Sequence, residues 1–583
     1  MRRTITAVAL LAAVATGCGM TPGAGSAGGR FDRPQEGFAP AGTVLRSGTP
    51  AGAGLDPRPL ERAQQQLAAW TNPGAGMPHP MYAGAVSLLA HDGTVVQHQA
   101  VGHEVRYADG NGTELPPEQQ EPMRPDTIFD LASLTKLFTA IAVTQQVQDG
   151  KVELNAPVSR YLPEFGSNGK QSITVEQLLT HTSGLQPDVS LWQLPPEQRI
   201  PSVMALTPQH PPGAQYEYSD PNFITLGVLV SRVTGRPLDQ VVHERIAEPL
   251  GMRDTGYNPP ASKLHRTAAT EFQTEPPRGM VRGQVEDENA WSLGGVAGEA
   301  GMFSTAGDLA VLGQALLNGG TYRGHRILDE DSTRQLLSDH NQRFPGNAHG
   351  LGFELDQRWY MAGLSSPSTA GHTGFSGTSL VLDPKSRSVA VLLTNRVHPS
   401  RSWGSNNPSR QVLAQGMAEA LAVEPPRGHR EWSTGASAQP QPATLATREL
   451  GPVAGATEAS FDAFVDTQRD ADGVDPLALE SSVDGGASWQ PVPVTARGPG
   501  APQGPQPFLA GAGHRAWWHV TGSVPSQPGQ KVLLRWRYSP DAQYCGRGVS
   551  LAGISVRDPS RTLLDGSEHP DAFLPQGWDS TNR

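Results

Sequence analysis

Lysine and cysteine are the scarce residues of this chain. Six lysines occur in 583 residues, at Lys136, Lys151, Lys170, Lys263, Lys385 and Lys531, while arginine is frequent. The net charge is −11 and no basic patch stands out, so nothing suggests a nucleic-acid partner. The two cysteines, Cys18 and Cys545, cannot build a Cys-based metal site. No H-E-x-x-H, no Cys/His cluster and no G-x-S-x-G elbow is present, which argues against zinc peptidases and α/β-hydrolases. No internal repeat stands out. The one long apolar run, Ile5 to Ala15, is too short to span a bilayer as a mature helix.

That run follows Arg2 and Arg3 and reads as a secretion signal over residues 1–17. It ends in Val14-Ala15-Thr16-Gly17-Cys18, which resembles a bacterial lipobox. Cys18 is therefore the expected lipidation site, and the expected location is the outer face of the cytoplasmic membrane, or secretion if the lipid is lacking. With Cys18 lipidated, the mature chain has no disulfide and the fold must rely on packing.

Among so few lysines, Lys136 has an informative position. It lies three residues after Ser133, at the head of the apolar run Leu134, Leu137, Phe138, Ile141, Ala142 and Val147. That spacing places both side chains on one helical face. A serine hydroxyl is a weak nucleophile until a neighbour takes its proton, and a desolvated lysine can do so. The pair predicts acyl-enzyme chemistry. A second S-x-x-K, Ser167 to Lys170, straddles an Asn-Gly turn and lacks that shared face.

Two further motifs follow in chain order. Tyr218-Ser219-Asp220 comes after a Pro-Pro-Gly lead, and His372-Thr373-Gly374-Phe375 precedes the strand-like Ser379–Asp383. Serine with lysine, then tyrosine, then a polar-Thr-Gly strand resembles the serine beta-lactamase / D,D-peptidase family, in its class C-like branch. Leu178 to Leu185, Pro249 to Met252, Gly301 to Leu309 and Gly350 to Phe353 are similar to the same family. The resemblance covers roughly residues 55–425. It implies an α+β fold: a beta-lactamase/transpeptidase-like antiparallel sheet flanked by helices, with an all-helical subdomain.

The resemblance also implies roles. Ser133 is the expected nucleophile, Lys136 shares or removes its proton, and Tyr218 acts as general base and acid. Asp220, His372, Thr373, Gly374 and Phe375 are the expected substrate-binding residues. The family's oxyanion donors correspond here to the N–H groups of Ser133 and Phe375, worth about 3 kcal/mol each in such sites. His372 stands where a lysine is commoner and could bind a substrate carboxylate or hydrogen-bond to Tyr218. Asp220 replaces an asparagine. It can only accept hydrogen bonds, and pairing with Lys136 would make that lysine a poorer base. Glu286 and Glu299 stand where a subgroup resembling muropeptide amidases carries histidines, and a solvated loop is the expectation for both, slightly ahead of a substrate role. His181 is expected to be structural.

The remaining chain divides by composition. Residues 18–54 are Gly-, Ala- and Pro-rich and read as a flexible tether, and residues 426–442 as a linker. Lys531 to Tyr538 alternates as a strand with one wet face should. Residues 443–558 are expected to form an all-β sandwich, similar to a MAM-type jelly roll, before a tail at 559–583. The sandwich either binds wall, glycan or protein, or only stabilises the chain. The expected activity is that of an exported serine hydrolase on cell-wall D-alanyl peptides, without cofactor or metal. An esterase, beta-lactamase or muropeptide amidase is the alternative enzyme, and a catalytically silent wall-binding protein the alternative class.

Overall fold

The Asp92-Gly93 pair reverses the chain with both φ angles positive, 44° and 78°, a conformation that glycine accepts freely and aspartate tolerates. Around it the computed structural model pairs β2 (Gly84–His91) with β3 (Thr94–Val105). The structure describes residues 29–74, 76–426, 430–435, 441–470, 473–541 and 546–582. The expected signal peptide, Cys18 and Cys545 lie outside the described residues.

The central sheet has eight strands. Added to the hairpin are β1 (Arg46–Ser47), β4 (Glu121–Pro122), β5 (Glu354–Leu355), β6 (Ala370–Thr373), β7 (Ser379–Asp383) and β8 (Ser388–Thr394). The order is β1-β3-β2-β8-β7-β6-β5, with β4 beside β3. All pairings are antiparallel except β1 with β3. Strands β2, β7 and β8 are buried throughout, which explains their near-continuous apolar sequence. Ala85, Leu89 and Leu392 pack with α1 (Pro57–Ala69) and with α5 (Asn407–Ala420), through Leu60, Leu67 and Met417. Val86, Leu88, Val389 and Val391 pack with Leu309, Leu312 and Leu316 of α4 (Ala306–Leu317). Gly313 lets α4 approach closely, since a Cβ there would stand 2.7 Å from Leu382 and 3.0 Å from Val389.

The helical subdomain centres on α2 (Thr135–Gln148) and α3 (Asp220–Thr234). Twelve consecutive residues of α2, Thr135 to Gln146, are buried. A helix buried on all sides is part of the core, and here the buried set includes Lys136, Thr139 and Gln145 as well as apolar residues. Its buried N-terminus therefore delivers Ser133 and Lys136 to the junction between the helical subdomain and the sheet.

Two antiparallel sheets of seven and five strands form the C-terminal sandwich, around Leu445, Phe461, Trp518, Leu534 and Trp536. Its limits differ from those expected. Arg430–Ser433, within the expected linker, pairs with Gly548–Arg557. The expected tail supplies Thr562–Asp565, Phe573–Gln576 and Asp579–Asn582 as strands.

From residue 29 the expected tether is packed rather than free. Phe31 is 1% exposed, with Arg515 and Arg547 over its ring and Phe464 at its edge. Trp517 Nε1 donates to Asp32 at 3.0 Å. Arg515 of the sandwich reaches the catalytic sheet, pairing with Asp383 at 2.7 Å where both side chains are almost fully buried. A Gly- and Pro-rich composition concealed these few anchoring side chains.

Candidate active site

Ser133 lies in a single 3-10 turn, Ala132–Leu134, immediately before α2. Ala132 holds φ at 47°, a conformation that costs a non-glycine residue roughly 1–3 kcal/mol. Asp130 supports it. One carboxylate oxygen accepts the Ala132 N–H at 2.9 Å and the other accepts the Glu286 N–H at 2.6 Å. Burial pushes the Asp130 carboxyl up to about 6. Asp130 thus ties the serine turn to the 286–300 loop. Sequence reasoning missed it, although it stands inside the Phe129-Asp130-Leu131-Ala132-Ser133 segment.

Ser133 Oγ accepts from Lys136 Nζ at 3.0 Å and from the Tyr218 hydroxyl at 2.9 Å. Lys136 is fully buried and also pairs with Asp220 Oδ1 at 2.7 Å and donates to the Glu299 carbonyl at 3.2 Å. Burial pulls the Lys136 ammonium down, but Asp220 and the Tyr218 hydroxyl outweigh it, and the net shift is upward. Desolvation pushes the Tyr218 phenol up to about 12, against the pull of Lys136. In the resting arrangement, then, Lys136 is charged and Tyr218 is neutral. His181, fully buried, stacks on the Tyr218 ring at 4.5 Å, and its Nδ1 accepts the Ser219 N–H at 3.0 Å. It positions the tyrosine loop, as a structural histidine should.

Strand β6 forms the opposite wall. His372 is 2% exposed, and its Nδ1 lies 2.7 Å from the Thr373 carbonyl. A carbonyl only accepts, so Nδ1 carries the proton. Burial, with Lys136 nearby, drives the imidazole down to about 3. In its neutral form His372 presents Nε2, which has no hydrogen-bond partner, and carries no charge. The Tyr218 hydroxyl donates to Ser133.

After Thr373 and Gly374 the chain turns tightly at Phe375. Ser376 and Thr378 hydroxyls donate to the Asp130 and Leu131 carbonyls, and Arg396 donates twice to the Phe375 carbonyl. These contacts fix the Phe375 peptide beside Ser133. A Cβ on Gly374 would stand 2.1 Å from Thr378 Oγ1 and 2.3 Å from the Leu131 carbonyl, so only glycine fits there.

The cavity between these walls has a volume of ≈ 690 Å³ and is lined by Ser133, Tyr218, Asp220, His372, Thr373, Gly374 and Phe375. The structure therefore brings the residues singled out by the three motifs to one cavity, except that Lys136 lies buried behind Ser133 rather than in the lining. It excludes the second S-x-x-K pair: Lys170 Nζ donates to the backbone carbonyls of Ser167 and Leu206. Glu286 and Glu299, expected on a solvated loop, are 2% and 1% exposed. The loop folds inward and lines the cavity instead. Glu354, Arg396, Arg401 and Arg410 also line it and carried no local signal in the sequence. Burial pushes Glu354 up to about 7. Among the described residues one cluster, Glu271, Glu286 and Glu288, has the spacing to hold a metal ion. Arg401 already occupies it, at 2.6, 2.8 and 2.5 Å from the three carboxylates.

A sheet with an S-x-x-K helix, a tyrosine loop and a facing polar-Thr-Gly strand defines the class of serine beta-lactamase-fold hydrolases. The chain belongs to the Beta-lactamase family, whose profile matches residues 65–415. A protein of Escherichia coli K12 named "Putative D-alanyl-D-alanine carboxypeptidase" is 30% identical over 399 residues, covering 63% of this chain and 89% of its own length. One of the same name from Salmonella schwarzengrund is 31% identical over 417 residues, covering 66% and 93%. A solved class C beta-lactamase shares the fold, with a TM-score of 0.51 at 17% identity over 63% of this chain and 97% of its own. The protein is a hydrolase of this family. The family profile ends before the sandwich begins.

Proposed function

We propose that this protein is an exported serine peptidase that forms an acyl-enzyme on Ser133 and acts on cell-wall peptides ending in D-alanine. The observation that carries the reading is the convergence of Tyr218 Oη and Lys136 Nζ on Ser133 Oγ, at 2.9 and 3.0 Å. In the active protonation state one proton has left the Tyr218–Lys136 pair. Ser133 Oγ then forms a bond to the scissile carbonyl carbon as its own proton passes to that pair. The N–H groups of Ser133 and Phe375 take the developing oxyanion. The C–N bond breaks, the departing amine takes the proton, and water later releases the acyl group by the reverse relay.

Names of relatives supply the D-alanyl preference, and the cell wall is the setting that the Cys18 lipobox suggests. The lipobox-like Val14 to Cys18 segment supports a lipid on Cys18 as the proposed anchor. The sandwich is proposed to bind wall glycan or protein. A neutral His372 favours one second reading, in which the substrate is an ester or amide lacking a carboxylate at that position.

The test is intact-mass spectrometry of the purified protein with penicillin over time, followed by peptide mapping. A persistent adduct on Ser133, absent from Ser133→Ala, supports the peptidase reading. Intact drug with no adduct, alongside rapid turnover of simple esters, would replace it with the esterase.

A further inference from the structure

One wall of the cavity, built from the 286–300 loop and the start of α3, carries an excess of carboxylates. Asp188, Asp220, Asp287, Glu288 and Glu299 line it. Most have partners. Arg401 pairs with Glu288, and Lys136 pairs with Asp220. Asp188 accepts from the Val189 N–H and from Asn289, and Asp287 accepts the Ala290 N–H.

Glu299 does not fit this pattern. It is 1% exposed, and neither carboxylate oxygen has a hydrogen-bond partner. Leaving such a group unpaired costs free energy that native proteins seldom tolerate without a reason. Lys136 Nζ donates to Ser133 and to the Glu299 backbone carbonyl and is ion-paired with Asp220, and it makes no hydrogen bond to the Glu299 carboxylate. Arg396 and Arg410 donate to the Phe375, Gly374 and Thr378 carbonyls and to Asn407 on the opposite side, with further Arg396 bonds to Arg401 and Gly404. Glu286 and Glu288, the other glutamates of the loop, are both paired with Arg401. Burial, with Asp287 and Asp220 nearby, holds the Glu299 carboxyl well above the ordinary range. Glu299 is part of the cavity wall, and an incoming cation would give its carboxyl a partner.

We propose that Glu299, supported by Asp287, binds a primary ammonium group carried by the acyl part of the substrate. A metal ion fits less well. The three carboxylates with metal-ligand spacing are Glu271, Glu286 and Glu288, which exclude Glu299 and are occupied by Arg401. An ammonium brings three donors, which match two carboxylates and need no cage. The acyl side follows from the hydrolase reading, on which this inference rests: a D-alanine leaving group carries a carboxylate and, before cleavage, no ammonium.

The experiment measures competition against hydrolysis of phenyl acetate, a neutral ester. Competitors are D-alanine methyl ester and its N-acetyl form, and Nα-acetyl-L-lysyl-D-alanyl-D-alanine with its Nε free or acetylated. In at least one pair the amine is expected to compete at least ~10-fold better than its acetylated partner. Glu299→Gln is expected to narrow that ratio to within ~3-fold, and Asp287→Asn, which keeps an oxygen for the Ala290 N–H, to narrow it in part. Ratios at or below unity in both pairs overturn the ammonium site. So does a ratio that Glu299→Gln leaves intact. Failure to hydrolyse phenyl acetate counts against the hydrolase reading instead. In that case calorimetric binding of the same four compounds, read by the same ratios, decides the ammonium site.

Discussion

Asp220 holds Lys136 in its charged form, and Asp220→Asn should release it. The ion pair is 2.7 Å long, with Lys136 fully buried and Asp220 22% exposed. An opposite charge at this range favours the ionised form by about 1–3 pKa units, or roughly 1.4–4 kcal/mol between protonation states. The sign follows directly. The carboxylate raises the Lys136 pKa, so its removal lowers it, and burial then pulls in the same direction. Active enzyme must lose one proton from the Lys136–Tyr218 pair, and that loss sets the acidic limb of kcat/KM. Asp220→Asn should therefore move the limb to lower pH by about 1–3 units. The assay is the pH dependence of kcat/KM on a neutral ester, from pH 5 to 10, for both proteins. Limb position, not height, is the readout, because Asp220 also lines the cavity. A limb that stays in place or moves upward refutes the argument, since Lys136 then does not govern the base.

Other parts of the structure give sharper stability tests. Gly374→Ala forces a Cβ against Thr378 and Leu131, and should cost about 1–3 kcal/mol in chemical denaturation and lower kcat at least ~100-fold. Arg515→Met leaves Asp383 buried without its partner, and should cost roughly 3–5 kcal/mol; adding Asp383→Asn should recover part of that loss in the same assay. His398 accepts the Arg106 and Tyr107 N–H groups at 3.0 and 3.2 Å, and burial drives it down to about 3. Its stability contribution is present above the unfolded imidazole value near 6.5 and is lost as pH falls toward 3. His398→Gln should therefore be less stable than wild type at pH 7, with the difference in Tm shrinking steadily toward pH 4.

The reactive residues were legible because each belongs to a short local motif. Ser133 and Lys136 share a helix turn, Tyr218 and Asp220 share one loop, and His372 to Phe375 share a strand end. The fold was legible for a related reason: apolar runs such as Ser379–Asp383 and the whole of α2 announce burial on every side. What could not be read depends on packing between distant segments. Asp130 is a site residue because its carboxylate meets a loop 156 residues away. Phe31 anchors the N-terminal segment because two sandwich arginines close over it. Neither contact leaves a periodic trace. The strands after residue 559 were missed because each is only four residues long and pairs with far earlier strands.

Glu286 and Glu299 show how this limit bears on function. As letters in a loop they are equivalent, and a solvated surface was the natural expectation for both. Folding separates them. Glu286 joins Glu271 and Glu288 around Arg401, so its carboxyl holds the loop against the segment after β8. Glu299 follows the cavity wall alone, with its backbone fixed by Lys136 and its carboxyl unpaired. A buried carboxyl held only for stability would be expected to have a donor, because an apolar residue of similar size would pack there at less cost. Lys136, the cation bonded to the Glu299 backbone carbonyl, turns its remaining contacts to Ser133 and Asp220. Glu299 belongs to the wall of the cavity that a substrate would enter, and on the proposed reading the group that satisfies its carboxyl arrives with the substrate.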